Sequence, residues 1–140
     1  LYLTKMANLV GFNIMIIDPF NTANPRDIPD AGHTLNVDFT AAFSHPDVNI
    51  NRSSYIVIVT RDHVSDKAVL QEAVKTNAKY IGLIGSKTKT KAIYTELLEQ
   101  GVAQETLDRV YNPIGLSINA QTPAEIAVSI LAEIIQVRRK

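Results

Sequence analysis

The 140-residue sequence contains no cysteine. That absence excludes disulfides, thiolate metal sites and a cysteine nucleophile within this chain. It also has no surplus charge of either sign. Fourteen Lys and Arg stand against fourteen Asp and Glu, so there is no global basic field to recruit nucleic acid. No apolar run approaches the roughly 20 residues of a membrane span, and the start shows no signal-peptide pattern, so a cytoplasmic location is expected. The first residue is Leu, which is expected of a fragment of a longer protein. With three histidines scattered along the chain, no structural metal is expected.

The sequence does hold alternating strand-like and helix-like segments. "FNIMIID" reads as a strand over 13–18 ending in Asp18, and Pro19 stops its simple continuation. Residues 20–34, with Pro25, Pro29 and Gly32, read as a loop, followed by a weak strand over 34–39 and a short helix broken at Pro46. "YIVIVT" (55–60) is a continuous β-branched run suited to a parallel strand covered on both faces. A helix follows over 65–76 with Ser65 at its N-cap, then a strand over 79–85 and a helix over 86–101 with Ser86 at its N-cap. A short helix is expected over 103–110 and a last strand or extended segment over 111–118. The final helix, 122–140, has Thr122 as N-cap, Pro123 at the first helical position and Glu125 completing a capping box. At the other end, residues 1–10 place Leu3, Met6, Leu9 and Val10 on one helical face, with Gly11 ending the helix. The pattern predicts one α/β domain over 1–140, a Rossmann-like, mostly parallel sheet with helices on both faces.

In open sheets of this kind, ligands bind beyond the carboxyl ends of the strands. Three such ends carry polar residues: Asp18; Thr60, Arg61, Asp62 and His63; and Gly85, Ser86 and Lys87. They are expected to share one crevice. Asp18 stands where the second strand of a dinucleotide-binding unit carries its ribose-binding acid, or else it merely ends a strand before a proline turn. The Gly-rich turn and first strand of such a unit are not in the sequence. An open slot in their place would leave backbone groups unpaired along two inner edges.

"YIGLIGSKTKTK" (80–91) crowds Lys87, Lys89 and Lys91 into the first turns of a helix, the end where the dipole disfavours cations. An anion held by the free amides of that turn would convert them into ligands, with Lys87 the strongest candidate; the alternative is a solvated helix end. "GSKT" is not a phosphate-binding P-loop, because Ser86 precedes Lys87 and position 81 is Ile. His63 fits a general base, a metal ligand, a phosphate contact or a hydrogen-bonded crevice residue, while His33 and His45 lie in loops. Gly115 and Asn119, before a well-capped helix, form a second place where backbone donors would meet a ligand, or a plain connecting loop. No catalytic residue is assigned.

"YIVIVTRDH" (55–63), "YIGLIGSKTKT" (80–90) and "NPIGLSINAQTPAEIAVSILAEI" (112–134) resemble, in order and spacing, the C-terminal Rossmann-like domain of the XdhC/CoxI family. "GFNIMIIDPF" fits the family's second strand. These are accessory proteins of xanthine dehydrogenase and related molybdenum hydroxylases. The resemblance implies binding of molybdenum cofactor, its presentation for sulfuration by a cysteine desulfurase, and delivery to the apoenzyme. An NAD(P)-dependent oxidoreductase or a nucleotide-binding regulatory domain is the alternative implied by the fold. A pure docking module is a third reading, and a homo-oligomer is left open. The sequence departs from the family where "GLDIG" reads "GLSIN" and "THDH" reads "TRDH". The family's cysteine-bearing N-terminal domain is also not in the sequence.

Overall fold

A computed structural model describes residues 2–30, 32–60 and 62–140. Its centre is a parallel ladder of two strands, β3 (Tyr55–Ile58) and β4 (Tyr80–Leu83), paired Tyr55 to Tyr80 through Ile58 to Leu83. Side chains alternate across a strand, and both faces of this ladder are covered. Ile56, Ile58, Ile81 and Leu83 point into a core with Val69, Leu70 and Ala73 of α2 (His63–Ala73) and Ile93 and Leu97 of α3 (Lys87–Glu99). Leu107 of the short α4 (Gln104–Leu107) closes that core. Tyr55, Val57, Tyr80 and Ile84 join the opposite core with Ile130, Ile134 and Val137 of α5 (Pro123–Arg138). The continuous apolar runs are therefore required by two-sided burial.

α1 (Tyr2–Leu9) packs on α5. The Arg138 guanidinium lies 4.5 Å from the Phe12 ring centre and donates to the Val10 carbonyl. Phe12 meets Tyr55 edge-on at 5.2 Å. Gly11 ends α1 at φ +94°, the left-handed position glycine tolerates. Beyond it, β1 (Met15–Ile17) pairs in parallel with β2 (His33–Leu35).

The α/β architecture with helices on both faces matches the expectation, but the sheet is not continuous. β1–β2 and β3–β4 form two separate ladders. Hydrogen bonding alternates along a parallel strand. Ile14 accepts from His33 and the Asp18 amide donates to Leu35, so the backbone of Met15 and Ile17 faces away from β2. Likewise Ser54 and Ile58 accept from Lys79 and Ile84, so Tyr55, Val57 and Val59 turn theirs away from β4. Among the described residues, β1 and β3 thus each present an open edge.

Two further expectations are corrected. Of the strand or extended segment expected over 111–118, only Tyr111 pairs, as a single bridge with Gly82. After Tyr111 the chain turns through a cis Asn112–Pro113 bond and a left-handed Gly115, and it hydrogen-bonds to α5 instead of a strand. The N-cap of α2 is Asp62, not Ser65: Asp62 Oδ1 accepts from the Ser65 amide at 2.7 Å. An aspartate three residues earlier meets the first turn's amides as well as serine does. Ser86 and the Thr122–Glu125 capping box are as read.

Amide hydrogen exchange tests the open edges. Met15, Ile17, Tyr55 and Val57 are expected to exchange at least a hundredfold faster than Leu83 and Ile84, whose amides donate to the Tyr111 and Ile58 carbonyls. Equal protection of the two groups would mean the edges are paired.

Candidate functional site

The C-terminal ends of β3 and β4 lie side by side, and a buried ion pair joins the helices that leave them. Thr60, just past β3, donates to Asp66 Oδ1 through its hydroxyl at 2.5 Å and its amide at 3.1 Å. Asp66, fully buried on α2, meets the Lys89 ammonium through Oδ2 at 2.5 Å. The same ammonium helps hold the Asp62 carboxyl below its ordinary range, although the Ser65 amide and then the Ser65 hydroxyl are the larger causes. Lys89 is therefore explained: it neutralises a buried carboxylate between two helix starts. The sequence does not reveal this role, because the partner lies 23 positions away on another helix.

Residues two apart on a helix point to nearly opposite sides, and residues four apart share a side. Lys87 and Lys91 accordingly lie away from Asp66. They line an open groove of about 430 Å³ with Thr90, Tyr94, Leu98 and Asn112. Neither ammonium has a carboxylate partner among the described residues. Thr90, buried, donates to the Ser86 carbonyl and, at 3.4 Å, to Asn112 Oδ1. Burial, and secondarily the Asp108 charge, pushes the Tyr94 hydroxyl up to about 12.

The other residues singled out from the sequence are mostly engaged by their own surroundings. Asp18 ends β1, but its carboxylate closes the following turn. Oδ2 accepts from Thr22 and Ala23 amides at 2.7 Å each, and Oδ1 accepts from Phe20. The Ala23 amide above all keeps this carboxyl below its ordinary value. His63 opens α2, with Nε2 2.6 Å from Glu96 Oε2 on α3. Arg61 lies outside the described residues. Gly115 faces inward: its amide donates to Glu133 Oε1 at 3.0 Å, and a Cβ there would lie 2.5 Å from Ser129 Oγ. The same Glu133 oxygen accepts from the buried Tyr80 hydroxyl at 2.7 Å, and burial first, then this bond, raises the Tyr80 pKa. Asn119 is left-handed at φ +58° and its carbonyl accepts from the Gln121 side chain. His33 opens β2, and the His45 ring accepts from the Asp47 amide.

At the β4 end, Gly85 leads to Ser86, whose Oγ accepts from the Lys89 amide at 3.2 Å. The amides of Lys87 and Thr88, the first two of the helix, have no acceptor within it. Those two amides, with the helix dipole behind them, are donors an oxyanion would take. Large apolar side chains stand exposed at the same ends: Phe20 after β1, Val59 after β3 and Val64 in the first turn of α2. Among the described residues, no three His, Asp or Glu side chains are placed to hold a metal, and no helix is long and apolar enough to cross a membrane.

Residues 1–134 match the family described as the XdhC Rossmann domain. An Escherichia coli (strain K12) protein named uncharacterized protein YqeB is 33% identical over 138 residues, 97% of this chain and 25% of that protein. A probable xanthine dehydrogenase subunit from Bacillus subtilis (strain 168) is 36% identical over 84 residues, 60% of this chain and 23% of that one. A crystal structure described as a xanthine dehydrogenase from Bacillus halodurans superposes with a TM-score of 0.80 at 34% identity, over 99% of this chain and 39% of that one. The chain spans about a quarter of the length of the two curated relatives. It belongs to the XdhC family, as that family's Rossmann domain.

Two measurements probe the site. Lys89→Met leaves Asp66 buried without its cation and is expected to cost about 3 kcal/mol in urea unfolding; Lys87→Met is expected to cost less than about 0.5 kcal/mol. Equal losses would show that Asp66 does not depend on Lys89. The second concerns pH. The His63 hydrogen bond, the largest cause, holds Glu96 below its ordinary 4.5. Stability from this depressed carboxyl is present above that value and is lost as pH falls through the folded-state value. Between about pH 5 and pH 3 the parent is expected to lose more Tm than Glu96→Gln does; parallel curves would show that the pair contributes nothing.

Proposed function

We propose that this XdhC-family domain serves the maturation of xanthine dehydrogenase-type molybdenum hydroxylases, holding molybdenum cofactor at the strand ends and handing it to the apoenzyme. The observation that carries this reading is the start of α3, where the Lys87 and Thr88 amides stand without intrahelical acceptors beside the β3 terminus. Val59 just past β3 and Val64 in the first turn of α2 stand exposed. A flat heterocycle ending in phosphate matches both features: amides for the oxyanion, apolar surface for the ring.

The residues fit the phosphate and ring portions of such a cofactor. A chain with no cysteine has no thiolate to offer the metal. When bound, the cofactor supplies the molybdenum centre that the target enzyme uses. This chain's own part is to bind and orient: the Lys87 and Thr88 amides take the phosphate, and Ser86 holds that turn in shape through the Lys89 amide. The names of the Bacillus subtilis relative and the Bacillus halodurans structure support an association with xanthine dehydrogenase. Against a dinucleotide-dependent oxidoreductase stands the state of Asp18. Its carboxylate is taken up by the amides of Phe20, Thr22 and Ala23, so binding ribose hydroxyls would mean giving up those bonds.

The test is calorimetric titration with molybdopterin and, separately, with NAD and NADP. Ser86→Asp retains a good N-cap but puts a carboxylate beside the anion position. It is expected to weaken molybdopterin binding at least tenfold with an unchanged Tm. Dinucleotide binding without molybdopterin binding would replace this reading with the oxidoreductase or nucleotide-regulated one.

A further inference from the structure

The groove along α3 is separate in chemistry from the strand ends. Lys87 and Lys91 stand one turn apart on the same side of the helix. Each is exposed and each lacks a carboxylate partner among the described residues. A like-charge pair at this spacing, at the end of a helix where the dipole already opposes cations, is unfavourable on its own. Nothing among the described residues offsets it. Lys89, in the same two turns, is neutralised by Asp66.

The groove continues down the helix over Tyr94 and Leu98, with Asn112 and Pro113 forming its other wall. From Lys87 to Leu98 it runs about 16 Å at the α-helical rise, the length of about five residues of extended chain. It is cationic at one end and apolar at the other, where Leu98 is 41% exposed. Its lining includes no Asp or Glu. Asp108 lies beyond Tyr94 and acts on its hydroxyl, which fixes the polarity: a negative group is favoured at the Lys87–Lys91 end and disfavoured near Tyr94. The groove is open along its length, and Thr90, the buried polar side chain in its lining, has its hydroxyl engaged by the Ser86 carbonyl and Asn112 Oδ1.

We infer that this groove docks an extended acidic-then-apolar segment of the molybdenum hydroxylase apoenzyme, carboxylates against Lys87 and Lys91 and an apolar side chain against Tyr94 and Leu98. The inference rests on the proposed function for the partner's identity, and on charge complementarity for the surface.

The experiment measures the Kd of the parent chain for the apoenzyme at low and at physiological salt. The same is done for Lys87→Glu/Lys91→Glu and for the control Lys5→Glu/Lys140→Glu, each first checked by thermal melting. The groove reversal is expected to weaken binding at least tenfold and to flatten its salt dependence, while the control stays within twofold. Leu98→Asp, which puts a like charge at the apolar end, is expected to weaken binding with the salt dependence kept. Unchanged affinity in the groove reversal overturns the inference while leaving the proposed function standing. A parent chain that does not bind the apoenzyme overturns both. Pyrophosphate is titrated in parallel: if the reversal abolishes its binding yet spares the apoenzyme, the groove is a small-anion site and the docking reading fails.

Discussion

Two-sided burial of the β3–β4 ladder is the constraint on which this structure depends. A strand pair covered on both faces leaves little side-chain surface to water, least of all on β4, so both strands are apolar throughout and both helical layers must be present. α2 and α3 cover Ile56, Ile58, Ile81 and Leu83; α5 covers Tyr55, Val57 and Tyr80. Once the layers are fixed, so are the places where α2 and α3 begin. Both start at the carboxyl ends of the strands, and their polar first turns meet there.

That meeting point explains the uneven roles of three closely spaced lysines. Helical geometry divides them between two sides. Lys89 reaches the fully buried carboxylate of Asp66 and ties the two helix starts to Thr60 at the end of β3. Lys87 and Lys91 face the other way, across the Asn112–Pro113 segment. An end of α3 unfavourable by dipole arguments alone is made tolerable on one side by an ion pair and left charged on the other.

A similar arrangement surrounds Glu133. One buried carboxylate oxygen takes the Tyr80 hydroxyl and the Gly115 amide. It thereby binds the central strand and the segment after Tyr111 to α5. Gly82 has a related part: a Cβ there would lie 2.5 Å from Ile114 Cδ1, so its bare backbone lets that segment lie against β4. Packing against β4 and α5 shapes the segment, which is why it does not extend as a strand.

The sequence by itself determined the α/β class, the helices, the Ser86 and Thr122 caps and the family, because periodicity, capping chemistry and motif spacing are local. The apolar runs at 55–60 and 80–84 announced two-sided burial, and the Asp18 and Gly85–Lys87 positions announced strand ends. Tertiary structure alone decided the partners. Asp66 and Lys89, His63 and Glu96, and Glu133 with Tyr80 and Gly115 lie 18 to 53 positions apart, and no local pattern marks which residues will meet. It also decided that Asp62 caps α2, that 111–118 is moored to α5, and that two ladders stand where one sheet was expected. Pairing between strands is a long-range contact, settled only when the chain has folded and each backbone group has found its partner or been left at an edge.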